Sequence, residues 1–171
     1  LRPHPVSPVS RQRVVLWQHP MEEFLAPGIE RNATQAAIAP DGSSIVFTDS
    51  VGGGLQLVRK ARDQREAMPL SGTEGAISPF FSPDGAWIGY LTTDGKLKKL
   101  PAAGGGSVTL ASDANRTLCT AAWLVDNTIV YVDGSVGVRR VSSDGGPSTL
   151  LLGGPQQRQS IPFVAPLPAS R

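Results

Sequence analysis

The chain has 171 residues, enough for one domain with a core of its own. Lys and Arg number 16 and Asp and Glu 14, a formal charge of +2, so no strong field recruits nucleic acid or a membrane surface. Charged residues are only 18%, while there are 19 Gly and 15 Pro, a balance that suits an all-β fold with many turns.

Leu1 to Ser10 carries prolines without periodicity and reads as a Pro-rich linker, residues 1–10, ahead of one repeat domain, residues 11–171. Arg11 to Trp17 has the pattern of a single strand, stopped by His19-Pro20. Met21-Glu22-Glu23-Phe24-Leu25 with Ala26-Pro27-Gly28 follows as a loop or short extra element.

From Ala33 the chain becomes regular. Ala37-Ile38-Ala39-Pro40-Asp41-Gly42-Ser43-Ser44-Ile45-Val46-Phe47 returns as Phe80-Phe81-Ser82-Pro83-Asp84-Gly85-Ala86-Trp87-Ile88-Gly89-Tyr90. A worn copy follows as Ala121-Ala122-Trp123-Leu124-Val125-Asp126-Asn127-Thr128-Ile129-Val130-Tyr131. Each phrase predicts strand, tight turn, strand: Pro presets φ, Asp bonds the backbone ahead of it, and Gly takes the positive-φ position. Asp41 and Asp84 are 43 residues apart, and Asp84 and Asp126 are 42 apart. Self-similarity at this period, built from short strands, is the signature of β-propeller blades rather than of a sandwich.

The spacing predicts three complete four-stranded antiparallel blades, at about residues 33–75, 76–117 and 118–155. The strands of the first are Gln35–Ala39, Ser44–Asp49, Gly54–Lys60 and Arg65–Leu70. Those of the second are Ile77–Ser82, Ala86–Thr92, Lys96–Pro101 and Ser107–Ala111. Those of the third are Leu118–Val125, Thr128–Val132, Gly137–Ser142 and Ser148–Leu152. Glycine turns at Gly52-Gly53-Gly54, Asp94-Gly95, Gly104-Gly105-Gly106, Asp133-Gly134 and Asp144-Gly145-Gly146 separate strands. A partial strand at 160–168 opens a fourth copy, with Ile161-Pro162-Phe163-Val164-Ala165-Pro166 matching Ser78 to Pro83. That broken copy and the start at Leu1 predict an incomplete propeller, with ends that are cut from something longer or processed. The alternative is a closed four-bladed ring, with Arg11–Trp17 joining Ile161–Pro168. An open arc leaves apolar blade faces exposed and predicts self-association through them or marginal stability.

Second strands are rich in apolar β-formers and read as buried on both faces by blade-to-blade packing. Third strands are basic: Arg59 and Lys60, then Lys96, Lys98 and Lys99, then Arg139 and Arg140. Stacked blades would align these into a stripe, either a surface for an anionic partner or, more simply, charged protection of outer strands against edge pairing.

The Pro-Asp-Gly phrases at Ala39–Gly42 and Ser82–Gly85 resemble the TolB-like, WD-repeat-like propeller repeats of bacteria. The longer text Ala67–Ala76, Pro79–Gly89 and Gly95–Gly105 resembles the C-terminal propeller of bacterial receptor-type serine/threonine protein kinases. That resemblance, over about Arg11 to Pro168, implies a sensory or binding module outside the membrane, attached to a kinase. Two departures stand out. The third repeat has Leu124-Val125-Asp126-Asn127 in place of the motif, and that family has six or more blades.

Residues for catalysis do not assemble in the sequence. No phosphate loop with its Lys, no His-Arg-Asp loop and no Asp-Phe-Gly site is present. Asp133-Gly134-Ser135-Val136-Gly137 lacks the first Gly of a nucleophile elbow, and both histidines, His4 and His19, lie in the lead-in. Cys119, the one cysteine, sits in an apolar run and reads as a small buried hydrophobe. The expectation is a binding module without catalytic, cofactor or metal residues. Its partner is a protein or small ligand, with no nucleic acid and no membrane contact by this segment. A TolB-like periplasmic scaffold and the propeller of a prolyl-oligopeptidase-type peptidase are the other readings.

Overall fold

A computed structural model describes residues 36–114, 121–133 and 137–152, all within the compact unit Arg31–Arg171. The expected strand Arg11–Trp17, Cys119, Gly134, Ser135 and the partial strand at 160–168 lie outside the described residues.

Among the described residues twelve strands form three four-stranded antiparallel sheets, each a meander in chain order. The first holds β1 (Ala36–Ile38), β2 (Ser44–Val51), β3 (Gly54–Ala61) and β4 (Met68–Pro69). The second holds β5 (Ala76–Phe81), β6 (Trp87–Thr92), β7 (Leu97–Pro101) and β8 (Val108–Ala111). The third holds β9 (Ala121–Trp123), β10 (Thr128–Val132), β11 (Val138–Ser142) and β12 (Thr149–Leu152).

The repeated turn folds as its chemistry demands. Asp41, Asp84 and Asp126 each accept the amide of the residue two ahead, at 2.9, 3.0 and 3.2 Å. Gly42 and Gly85 take φ of 71° and 72°, and Asn127 takes 64° at the same place. Asn tolerates this left-handed region better than most side chains, so the worn third motif keeps its turn. It is one residue shorter. Ala39 N bonds Ser44 O and Ser82 N bonds Trp87 O, whereas Leu124 N bonds Thr128 O. The pairs Ile38↔Ile45, Phe81↔Ile88 and Trp123↔Ile129 therefore occupy one repeat position.

Two apolar layers join the blades. Val46 and Leu57 of the first pack on Ile88, Tyr90 and Leu100 of the second. Leu91, Leu97 and Leu110 on the opposite face of the second pack on Trp123, Ile129, Tyr131 and Val141 of the third. Burial on both faces holds for β6 and β10. It fails for β2, where Ser44, Val46 and Thr48 are buried but Ile45 and Phe47 only half-buried. In β2 the buried Val46 faces the second blade, and Ile45 and Phe47 point to the opposite side.

Three local expectations need correction. The fourth strand of the first blade is Met68–Pro69 rather than Arg65–Leu70, because Arg65 and Glu66 belong to the preceding exposed bend and Pro69 has no N–H to extend a ladder. The first strand of the second blade is bulged between Ile77 and Phe80, with Ser78 at φ 51°. The basic third strands are not outer strands. β3, β7 and β11 each pair on both sides, and β4, β8 and β12 form the outer edges. Protection of an edge is therefore not the reason for their charge.

Candidate interaction surface

Register shows what the basic residues do. Val46↔Arg59, Gly89↔Lys99 and Val130↔Arg140 place Arg59, Lys99 and Arg140 at one repeat position. Each reaches across to the first residues of its own second strand. Arg59 Nε donates to Ser44 Oγ at 3.2 Å, Lys99 Nζ lies 4.3 Å from the Trp87 ring centroid, and Arg140 Nε donates to Thr128 Oγ1 at 3.0 Å. The first two also reach the next blade. Arg59 Nη1 donates to Ala102 O at 2.6 Å, and Lys99 Nζ lies 3.9 Å from Asp144 Oδ1. Both acceptors stand just beyond the third strand of the following blade. Arg140 instead turns back to Asp126 of its own turn.

Arg139 belongs to a second cluster. Its Nε donates to Asp133 Oδ2 at 2.6 Å and lies 3.3 Å from Asp113 Oδ2. Asp133 Oδ1 accepts the Gly137 amide at 2.8 Å, and Tyr131 Oη donates to Asp113 Oδ1 at 2.6 Å. Burial and the neighbouring Asp113 push the Tyr131 phenol up to about 12. The network ties the connector between the second and third blades to the β10–β11 turn, where Ala114 bridges Asp133. The remaining basic residues act locally: Lys60 Nζ donates to Gln64 O at 3.5 Å, Lys96 pairs with Asp94 at 2.5 Å, and Lys98 Nζ lies 6.0 Å from the Tyr90 ring centroid. The seven basic residues thus form no single stripe; Arg59 and Lys99 latch one blade to the next, and the others serve turns and strand neighbours.

The sequence did not reveal the Asp113–Tyr131–Arg139–Asp133 network. Tyr90 and Tyr131 share a repeat position beside Lys98 and Arg139, which is a usable signal. Asp113 lies in a connector, where the counterpart Glu74, one residue before Gly75 as Asp113 is before Ala114, is also an acid.

Apolar groups remain exposed on the outside of the third blade. Leu150, Leu151 and Leu152 of β12 are each about half exposed. The edge of the first blade offers two residues including Pro69, which limits strand addition there. Among the described residues no group of three or more His, Cys, Asp or Glu side chains could hold a metal, and no helix is long and apolar enough to cross a membrane.

Three consecutive four-stranded meanders, stacked face to face through apolar layers, decide the architecture. The chain is built of β-propeller blades. Solved structures agree. TolB from Acinetobacter baumannii is similar at 22% identity and a TM-score of 0.57, over 69% of this chain and 31% of that one. The nidogen/laminin complex is similar at 15% and 0.58, over 73% and 51%. Oligogalacturonate lyase in complex with manganese is similar at 17% and 0.54, over 68% and 38%. This propeller chain spans between about a third and a half of the length of those structures. No family model matches it, and no curated protein does.

Proposed function

We propose that this chain is a non-catalytic propeller module that binds a protein or small ligand, as part of the extracytoplasmic sensory tail of a receptor-type serine/threonine kinase. The observation that carries the binding reading is where the polar side chains go. The clusters that could have held chemistry, Asp113–Tyr131–Arg139–Asp133 and Arg59, Lys99 and Arg140, are committed to turns and blade joints. The kinase assignment rests on the resemblance of Ala67 to Gly105. A TolB-like scaffold is the second reading, supported by the shared fold with TolB from Acinetobacter baumannii.

The test is the gene on both sides of this segment. An upstream kinase domain followed by an apolar span of about 20 residues is the expected result. A signal peptide without a kinase would replace the first reading with the scaffold. A downstream hydrolase domain with Gly-x-Ser-x-Gly would overturn both, making the propeller part of a peptidase.

A further inference from the structure

The repeat allows each blade to be compared with its neighbours position by position, and the two ends of the array differ from its interior in a complementary way. In the second blade, Lys98↔Thr109 and Leu97↔Ala111 flank Leu110, which is 7% exposed and packs against the third blade. In the third blade, Arg139↔Leu150 and Val138↔Leu152 flank Leu151, which is 52% exposed. The basic position behaves alike. The Lys99 side chain is 10% exposed and bridges to Asp144, whereas that of Arg140 is 41% exposed. Val130 and Val132, nearer the inner strand of the same face, are already buried. What lies open is the outer half of that face, matching the place where β8 meets β11 in the existing joint.

The first blade carries the matching half. Ile45 and Phe47 are half-buried, whereas their repeat counterparts Ile88, Ile129, Tyr90 and Tyr131 are fully buried. Ile38 is 59% exposed at the position where Trp123 is 4% exposed. The amides of Arg62, Ala102 and Ser143 bond Ser43, Ala86 and Asn127 in the same way, so exposed Asp63 is the counterpart of Asp144.

We propose that the outer edge of the third blade docks the first blade of a second copy of this chain, in the register by which the second blade docks the third. Arg140 then meets Asp63 of the second copy as Lys99 meets Asp144, and Leu151 packs where Leu110 packs. Lys60 of the second copy stands at the position of Val141 and lays its aliphatic stem on Leu151. Asp63, like Asp144, is an acid at the end of a third strand, and this charge match selects a copy of the chain over an arbitrary apolar strand. Two such joints, related by a two-fold axis, would join the three described blades of one copy to those of the other in both directions.

Sedimentation velocity of the purified chain over a concentration series tests it. The expected result is a monomer–dimer equilibrium that Leu151→Asp weakens by about tenfold or more, roughly 1.4 kcal/mol. Val108→Asp, on the exposed edge of the second blade, leaves the dimer intact. Asp63→Arg and Arg140→Asp each weaken association, and the two together in one chain restore it. Circular dichroism melts of every variant separate loss of docking from loss of fold. A monomer at every concentration, a dimer indifferent to Leu151→Asp, open polymers in place of a dimer, or a charge swap that fails to restore association overturns the proposal.

Discussion

Gly89 is the residue where repeat logic and packing part company. Its counterparts in the other blades are Val46 and Val130, so the pattern by itself favours Val. A Cβ built there lies 2.2 Å from Phe80 Cε2, because the Phe80 ring lies over the glycine and meets Trp123 edge-on, with ring centroids 6.4 Å apart. Gly89→Val should therefore cost about 1–3 kcal/mol in urea denaturation, the range for overpacking. Adding Phe80→Ala should recover part of that loss, whereas a neutral single variant would mean the ring moves freely. Asn127 offers a second residue-scale test. With φ at 64°, Asn127→Ala should lower stability by about 1 kcal/mol or more and also remove the acceptor of Trp123 Nε1, while Asn127→Gly keeps the backbone conformation. Thermal melts of the pair should rank Gly above Ala.

At the scale of the element, the turns carry acidic groups whose charge the fold favours. Asp94 is held down to about 2, first by Lys96 and then by the Thr92 hydroxyl. Asp84 is lowered chiefly by Ser82, Asp41 by Ser43 and Asp126 by Thr128. A carboxyl depressed in the folded state contributes stability above its unfolded value, near 3.8, and loses it as pH falls through the folded one. The unfolding midpoint should be level above about pH 5 and fall from about pH 4 toward 2. Asp94→Asn should flatten that slope. Tyr131 acts at the other end of the scale. Its neutral form is favoured, so its contribution is complete below 10 and lost as pH rises toward about 12. Ultraviolet titration should show one of the two tyrosines ionising near there, and Asp113→Asn should bring it down.

For the whole molecule, the apolar layers run from blade to blade, so cooperativity should follow position in the stack. Ile45, Ile88 and Ile129 share one repeat position, yet Ile88 and Ile129 are 0% exposed and Ile45 is only half-buried. Ile88→Ala and Ile129→Ala should each cost about 2–5 kcal/mol. Ile45→Ala should cost clearly less when measured at concentrations where the chain is monomeric. Equal costs at all three would mean that the first blade is covered as fully as the second.

How legible the fold was follows from what each signal depends on. The turns were readable because Pro, Asp and Gly act through their own backbone, without help from distant residues. Strand pairs β2–β3, β6–β7 and β10–β11 were readable because a short glycine turn leaves an antiparallel neighbour as the only partner within reach. The bulge at Ser78 could have been read from Pro79, which lies between Ile77 and Phe80 and has no N–H for the ladder. The brevity of β4 could have been read from Pro69, which cannot donate.

What the sequence by itself determined about this protein is the blade: its period, its meander and the turn chemistry that closes it, all set by local backbone preferences repeated along the chain. What only the tertiary structure decided is the use of the charged residues. Arg59 and Lys99 became latches because the next blade presents Ala102 O and Asp144 to them, and Arg139 became a clasp because Asp113 and Asp133 converge on it. Those partners come from other strands, connectors and blades, and an ion pair is fixed by where two side chains meet in space, which no local pattern encodes.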